Sequence, residues 1–387
     1  MMLSTKSYFL TTHSGSLPRT KDLVELYVAL SRGEEVDKDK LEDAIHTSTE
    51  AVIRNQINSG IHIGNNGEQT RESFFSYIRH RMSGFGGASN RPPFKDMVDY
   101  PSWVDLKLSG YLDGVSLISA PQALEEVTYT NKEPLDKEIN QFNNFLNKEE
   151  GNPFKETFMT APSPGIIAAA MEDVFYGDMD AYLEALAVAL KIEYDAIYSA
   201  GHILQLDCPD LAMERHVYFA DKNETEFIEF INKVIKAIDT ALTDIPKESV
   251  RMHVCWGNYN GPHDSDIPLK TILPSLLNAK VGALMLSMAN PRHAHEYRLL
   301  TKENLPDDML IVAGVIDTTS NYVEHPEVVA DRIEAVVSSI EDPRRVIVGT
   351  DCGFDTAAGF RDVAEEVVWA KLKALSAGAE IATKRLL

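Results

Sequence analysis

Three cysteines in 387 residues, Cys208, Cys255 and Cys352, are too few and too scattered for a disulfide framework, and an odd number cannot pair fully within one chain. A reducing compartment suits them, and the start MMLSTKSYFLTTHSG shows no signal-peptide pattern, so the expected location is the cytoplasm. No apolar run approaches the roughly 20 residues needed to cross a bilayer, which argues against a helical membrane span. Basic residues are also in short supply: 37 Lys plus Arg stand against 59 Asp plus Glu, a formal charge of -22. A nucleic acid or an anionic membrane as main partner needs the opposite balance. No G-x-G-x-x-G or P-loop follows any apolar run, and no repeat or low-complexity tract is visible.

What remains is an ordinary globular composition, 44% hydrophobic and 25% charged, in a length that suits two average domains or one large barrel. Strand-like and helix-like segments alternate along almost the whole chain. Eight buried strands are expected, at 8–12, 61–66, 157–161, 202–207, 251–256, 283–288, 310–317 and 346–352. Helices are expected at 39–59 (stopped by Gly60), 70–82 (Phe74, Phe75 and Ile78 buried), within 164–200, at 224–243, 268–279, 293–301 and 326–340, and from the last strand to the terminus. This is the pattern of an α/β protein, a single (β/α)8 TIM barrel over residues 1–387. A doubly wound open sheet is the alternative, and it lacks its fingerprint. Residues 84–153 break the rhythm and read as an inserted hairpin or cap. Within them VDLKLSGYLDGVSLI and EEVTYT suggest strands, SAPQALEE a helix between them, and 135–149 a polar helix.

Polar residues fall at the strand ends. RMHVCWGNYNGPH, residues 251–263, begins as a strand in which Met252, Val254 and Trp256 alternate with His253 and Cys255. Side chains two apart on a strand share a face, so His253 and Cys255 project together near its C-terminal end. An imidazole beside a thiolate suits a borderline-soft ion such as zinc, but two ligands do not complete a site. Cys352, ending the buried run in VIVGTDCGF, is the natural third. A core cysteine beside a hydrogen-bonded histidine is the structural alternative. His13, Asn66 with Glu68, Asp207, Ser287 with Asn290, Asp317 and Asp351 stand at the other tips, which in a barrel converge on one mouth. Cys208 follows Asp207 and faces the other way, so it reads as buried and inert. His293 and His295, two apart on an expected helix, would not share a face and read as pocket lining or capping.

The segments TTHSGSLPRT, NNGEQTRESFFSYI, ILQLDCP, MHVCWGNYNGPH, ANPRHAHE, GVIDTTSNYVEHPE and VGTDCGF, in this order, resemble the C-terminal catalytic barrel of the cobalamin-independent methionine synthase family over nearly the whole chain. GNYNGPH and NPRHAHE are similar to the single-barrel branch that includes epoxyalkane:coenzyme M transferase, a zinc enzyme that adds a thiol to an epoxide. The resemblance implies zinc held by His253, Cys255 and Cys352. It also implies Glu68 and Asp207 near a substrate amino group, and Gly15 and Ser16 against the thiol substrate's carboxylate. Departures are equally specific. Ser287 stands where the methionine synthases place a Glu as fourth ligand. Their D-I-H-S motif supplies a His, whereas Asp317 is followed by Thr318, Thr319 and Ser320. SPGIIAAAMEDV holds no counterpart of their folate-stacking Trp, and their separate N-terminal barrel is not matched. These differences point away from a polyglutamylated methylfolate as donor.

The implied activity is S-alkylation of a small-molecule thiol by an alkyl donor, through methyl transfer or epoxide opening. A free thiol has a pKa of ~8.5 and only its thiolate is a good nucleophile; zinc binding removes the proton. Ser287 in place of Glu would leave an open position for that sulfur. The general acid stays open among His13, His263 and Asp317, each of which also reads as a loop or capping residue. A sulfonate-bearing thiol would want Arg19, Arg71 or Arg292 in the pocket, whereas an amino-acid thiol would use Glu68 and Asp207. Two readings from other classes compete: a metal-free lyase resembling uroporphyrinogen decarboxylase, and a binding protein on an inactive barrel. The lyase would need a cationic cleft, and the tips here are acidic or neutral. Assembly into a homo-oligomer is left open.

Overall fold

Strand β1 (Ile63–Gly64) is followed by an antiparallel pair, β2 (Met82–Gly86) and β3 (Gln122–Tyr129), in a computed structural model that describes residues 2–111, 114–116, 120–148 and 153–387. The later apolar runs form β4 (Glu156–Pro162), β5 (Ile203–Asp207), β6 (Val250–Val254), β7 (Ala283–Ser287), β8 (Leu310–Ile316) and β9 (Val346–Thr350). β1 and β4 to β9 make one parallel sheet in chain order, while β2 and β3 stay outside it. Residues of β5, β6, β7 and β9 are buried throughout. Buried on both faces, β7 and β9 read as near-continuous apolar runs, whereas β5 and β6 carry polar residues, Gln205, Asp207, Arg251 and His253, at alternate positions.

The helices are α1 (Lys21–Ser31), α2 (Lys38–Asn58), α3 (Lys95–Asp99), α4 (Pro101–Tyr111), α5 (Glu133–Lys148), α6 (Pro164–Ala170), α7 (Met179–Ser199), α8 (Glu224–Ala241), α9 (Leu269–Leu276), α10 (Pro326–Ile340) and α11 (Glu365–Leu386). Local chemistry starts several of them. The Asp37 carboxylate accepts the Asp39 and Lys40 N–H groups at the head of α2. Asn223 and Glu226 form a reciprocal capping box on α8, and Pro326 opens α10 where its missing N–H is not needed. The main apolar core lies between sheet and helices. A second cluster, Leu10, Ile63, Phe158, Ile203, Met285, Val312 and Ile347, draws on most strands of the sheet at once, as only a curled sheet allows. β6 adds a charge inside the curl: Arg251 lies 3.7 Å over the Phe158 ring and donates to Gln205, Thr12 and the His13 carbonyl.

Several sequence expectations are corrected. Segment 8–12 is extended chain with a single bridge, Thr11 to Val348, rather than a ladder strand. Thr12 N–H donates to Val348 O and Ile63 N–H to Thr11 O, so this segment joins the two edge strands of the sheet. Residues 70–82 form only a 3-10 turn, Ser76–His80. Ser73 instead bridges Ala357, and Phe74 N–H donates to Thr356 O, so the backbone is committed to the loop after β9. The helix expected at 293–301 is likewise a short 3-10 turn, Glu296–Leu299, because the Glu296 carboxylate accepts the Leu269 N–H and the His293 ring bridges Asp266 and Glu296. The stretch expected as strand from 104 is helical as far as Tyr111; its residues 112–113 and 117–118 lie outside the described ones. SAPQALEE belongs to β3 from Gln122 onward rather than to a helix. Among the described residues no helix is long and apolar enough to cross a membrane.

Candidate active site

His253 is the penultimate residue of β6, whose chain runs on to Cys255, and β9 runs on to Cys352. All three are buried, and their ligand atoms lie within 4.8 Å of one another. The two sulfurs are 3.5 Å apart, and Gly257 N–H points at the Cys255 sulfur from 3.3 Å. The hydrogen bond shared with Cys352 and the charge of His253 bring the Cys255 thiol down to about 7, and the same hydrogen bond together with burial pushes Cys352 up. Burial alone would lower His253, but its hydrogen bond to the Asp207 carboxylate at 3.1 Å outweighs this and raises it. Two thiols and an imidazole so placed are a donor set for a borderline-soft divalent ion. The register that pairs Asp207 with His253 across β5 and β6 sets a carboxylate beside the imidazole, as metal-binding histidines usually have.

A cavity of about 360 Å³ opens over this group. Its floor carries Glu68 and Asp207, with Ser14 and Ser16 from the loop after segment 8–12. Glu68 sits at φ 59, a left-handed backbone rare outside glycine, held by its N–H to the Asn66 side chain. Its Oε1 accepts the Thr160 hydroxyl at 2.9 Å, while Oε2 is buried without a partner. Burial and the nearby Asp207 charge raise the Glu68 carboxyl to about 7. Gly15, at φ 130, makes room for it: a Cβ there would stand 2.5 Å from Glu68 Oε1.

The three candidate acids do not meet in this cavity. His13 is buried with one ring nitrogen on Gln56 and the other accepting the Gly15 N–H; burial lowers it to about 3, which keeps it neutral. His263 stacks behind Tyr259 at 4.1 Å and bonds Asp266 and the Tyr259 carbonyl. Asp317 turns back on its own loop, accepting Thr319 N–H and the hydroxyls of Thr319 and Ser320. Ser287 lies behind the floor, donating to the Asp351 carbonyl at 2.9 Å, the same oxygen that His253 Nε2 approaches at 3.3 Å. The Asp351 carboxylate gathers the N–H groups of Met288, Ala289 and Asn290, which fixes the loop after β7. Cys208 is wholly buried, with its thiol on Leu206 O. His293 is buried between Asp266 and Glu296 rather than lining the cavity.

Arg19, Arg71 and Arg292 do not reach the cavity either. Arg19 is buried against Asp355, Arg71 against Glu138, and Arg292 is exposed on the Asp264 carbonyl. The residues that sequence reasoning missed cover the top: Phe94, Met97, Trp103 and Val104 of the α3–α4 region, with Tyr259 and Phe360. No motif spacing marks Phe94, Met97, Trp103 and Val104, whose one signal is a cluster of large apolar side chains in a segment that also carries charge, and Tyr259 sits unremarked inside the run GNYNGPH.

A curled parallel sheet with a His–Cys–Cys group at its strand ends defines a class of α/β enzyme-like proteins with a metal-competent mouth. The chain belongs to the family described as cobalamin-independent synthase, catalytic domain, whose model matches residues 153–374. The methionine synthase of Sulfolobus acidocaldarius is 24% identical over 348 residues, covering 89% of this chain and 85% of that protein. That of Pyrococcus furiosus is 24% identical over 345 residues, covering the same shares. A B12-independent methionine synthase from Shewanella sp. W3-18-1, solved with selenomethionine, superposes with a TM-score of 0.73 at 20% identity over 98% of this chain and 99% of that one. This likeness shows the fold.

Proposed function

We propose that the protein is a zinc-dependent S-alkyltransferase that methylates a small aminothiol, homocysteine being the type case, on a closed (β/α)8 barrel. Residues 84–153 act as its cap. The observation that carries the reading is the His253–Cys255–Cys352 group facing a cavity whose floor is acidic. Zinc held by these three residues would supply the positive charge that keeps a substrate thiol deprotonated at neutral pH. The chain's own residues do the rest. Asp207 orients His253 through its hydrogen bond. Glu68 and Asp207 hold the substrate ammonium, which answers both the partnerless Oε2 and the repulsion that raises Glu68. Gly15 and Ser16, at the edge of the same floor, face the substrate carboxylate.

Two alternatives are disfavoured by the same floor. A sulfonate thiol, as in coenzyme M chemistry, needs a cation there, and Arg19 and Arg71 are spent on Asp355 and Glu138. A uroporphyrinogen decarboxylase-like lyase needs several such cations. Metal analysis is the test. We expect about one zinc per chain, loss of it in Cys255→Ser and in Cys352→Ser, and retention in Cys208→Ser. Full zinc in the first two variants overturns the ligand assignment. Faster alkylation of 2-mercaptoethanesulfonate than of homocysteine overturns the aminothiol.

A further inference from the structure

The upper half of the cavity differs in chemistry from its floor. Phe94, Met97, Trp103, Val104, Tyr259 and Phe360 form its walls. The polar handles of the two largest rings are already used: the Trp103 indole N–H donates to Asn260 O at 2.9 Å, and the Tyr259 hydroxyl donates to Asp96 at 2.8 Å. Phe94 and Trp103 lie 5.3 and 5.8 Å from the Tyr259 ring, so the three rings form one connected wall.

Both cations that line this half are paired. Arg91 is held by Glu214, both side chains almost wholly buried, and Lys107 by Asp362 at 3.3 Å. Arg91 Nε has no protein partner, which leaves a single N–H donor and not an uncompensated charge. Among the described residues no other Lys or Arg lines the cavity, and the remaining positions, Met1, 112–113, 117–119 and 149–152, contain neither residue type. An anionic group bound here would lose its hydration without gaining a counter-charge, a heavy cost in an apolar enclosure. An apolar body would gain by leaving water.

We propose that this chamber is the subsite for the alkyl donor and that it selects an uncharged donor with an apolar or aromatic body, free of carboxylate, phosphate or sulfonate. The proposal rests on reading the site as an S-alkyltransferase. The reaction it implies is R–SH plus R′–X–CH3 giving R–S–CH3 plus R′–X–H. One S–C bond forms, one C–X bond breaks, the thiol proton ends on X, and nothing is oxidised or reduced. A polyglutamyl tail has no counter-charge in such a chamber.

A matched pair of probes tests this on the whole protein: anisole, and 4-methoxybenzoate, which adds one carboxylate to the same ring. Binding is read by quenching of tryptophan fluorescence, with Trp103→Phe as the control for where the signal arises. Anisole is expected to quench saturably in the wild type and not in Trp103→Phe, and the benzoate to bind about tenfold more weakly or worse. Val104 is only partly buried on α4, so Val104→Arg adds a cation to the wall and should narrow or invert the preference. Equal or tighter binding of the benzoate to the wild type, no saturable quenching by anisole, or an unchanged preference in Val104→Arg each overturns the proposal. Zinc content on the same samples separates the two ideas. Zinc without anisole binding sinks the donor class alone, and anisole binding without zinc sinks the metal reading alone.

Discussion

Replacing Glu68 by Gln removes one charge from the cavity floor while keeping the shape of the side chain. In the wild type, burial and the Asp207 charge raise this carboxyl from 4.5 to about 7. The sign follows from linkage: the unfolded chain releases the proton near 4.5, the folded one only near 7, so folding holds the proton between those values. Stability is therefore unaffected below pH 4.5, falls as pH rises towards 7, and stays lowered above it. At about 1.4 kcal/mol per pH unit the loss is on the order of 3 kcal/mol. An unfolding entropy of about 2.1 cal/mol/K per residue over 387 residues makes each kcal/mol worth about 1 °C in Tm. The melting temperature of Glu68→Gln minus that of the wild type should thus rise by about 3 to 4 °C between pH 5 and pH 8, without substrate. The same variant should bind the aminothiol more weakly, because the ammonium loses a buried partner; a loss of about tenfold or more is expected. In the wild type that binding should tighten as pH rises through 7 and Glu68 ionises. A melting difference that is flat from pH 5 to 8, together with unchanged thiol affinity, would refute the role given to Glu68.

Two further outcomes follow from the floor of the cavity. Gly15→Ala places a methyl 2.5 Å from Glu68 Oε1 and 2.7 Å from the Thr160 methyl at φ 130, so thiol affinity should fall at least tenfold, measured by calorimetry; wild-type affinity would show that Glu68 does not pack against this loop. Ser287→Glu extends a carboxylate from a position that shares the Asp351 carbonyl with His253, and should give the zinc an added oxygen ligand and weaker thiol binding. X-ray absorption at the zinc edge reads both, and an unchanged ligand set with unchanged thiol affinity would mean that Ser287 stands away from the metal.

The convergence of His253, Cys255 and Cys352 was legible because its signal is local. An i, i+2 pair on a buried strand can only share a face, and a third cysteine ending another buried strand must arrive at the same end of a parallel sheet. The candidate acids show where that reasoning stops. A strand-tip position says that a side chain is near the mouth and leaves open which way it turns. His13 is drawn beneath the floor by Gln56, and His263 adopts φ 56 and turns towards Asp266. Asp317 is claimed by Thr319 and Ser320, a competition that short polar residues two and three positions on always offer. The apolar wall of the cavity was illegible for another reason. α3 spans only five residues and α4 eleven, too short for a periodic stripe to stand out, and their apolar side chains face a cavity rather than a core. Sequence pattern reports burial against protein. A cavity wall carries the same apolar residues without the period, so in this chain it became visible only once the fold joined Phe94, Trp103 and Tyr259 in the cavity that also holds the His–Cys–Cys group.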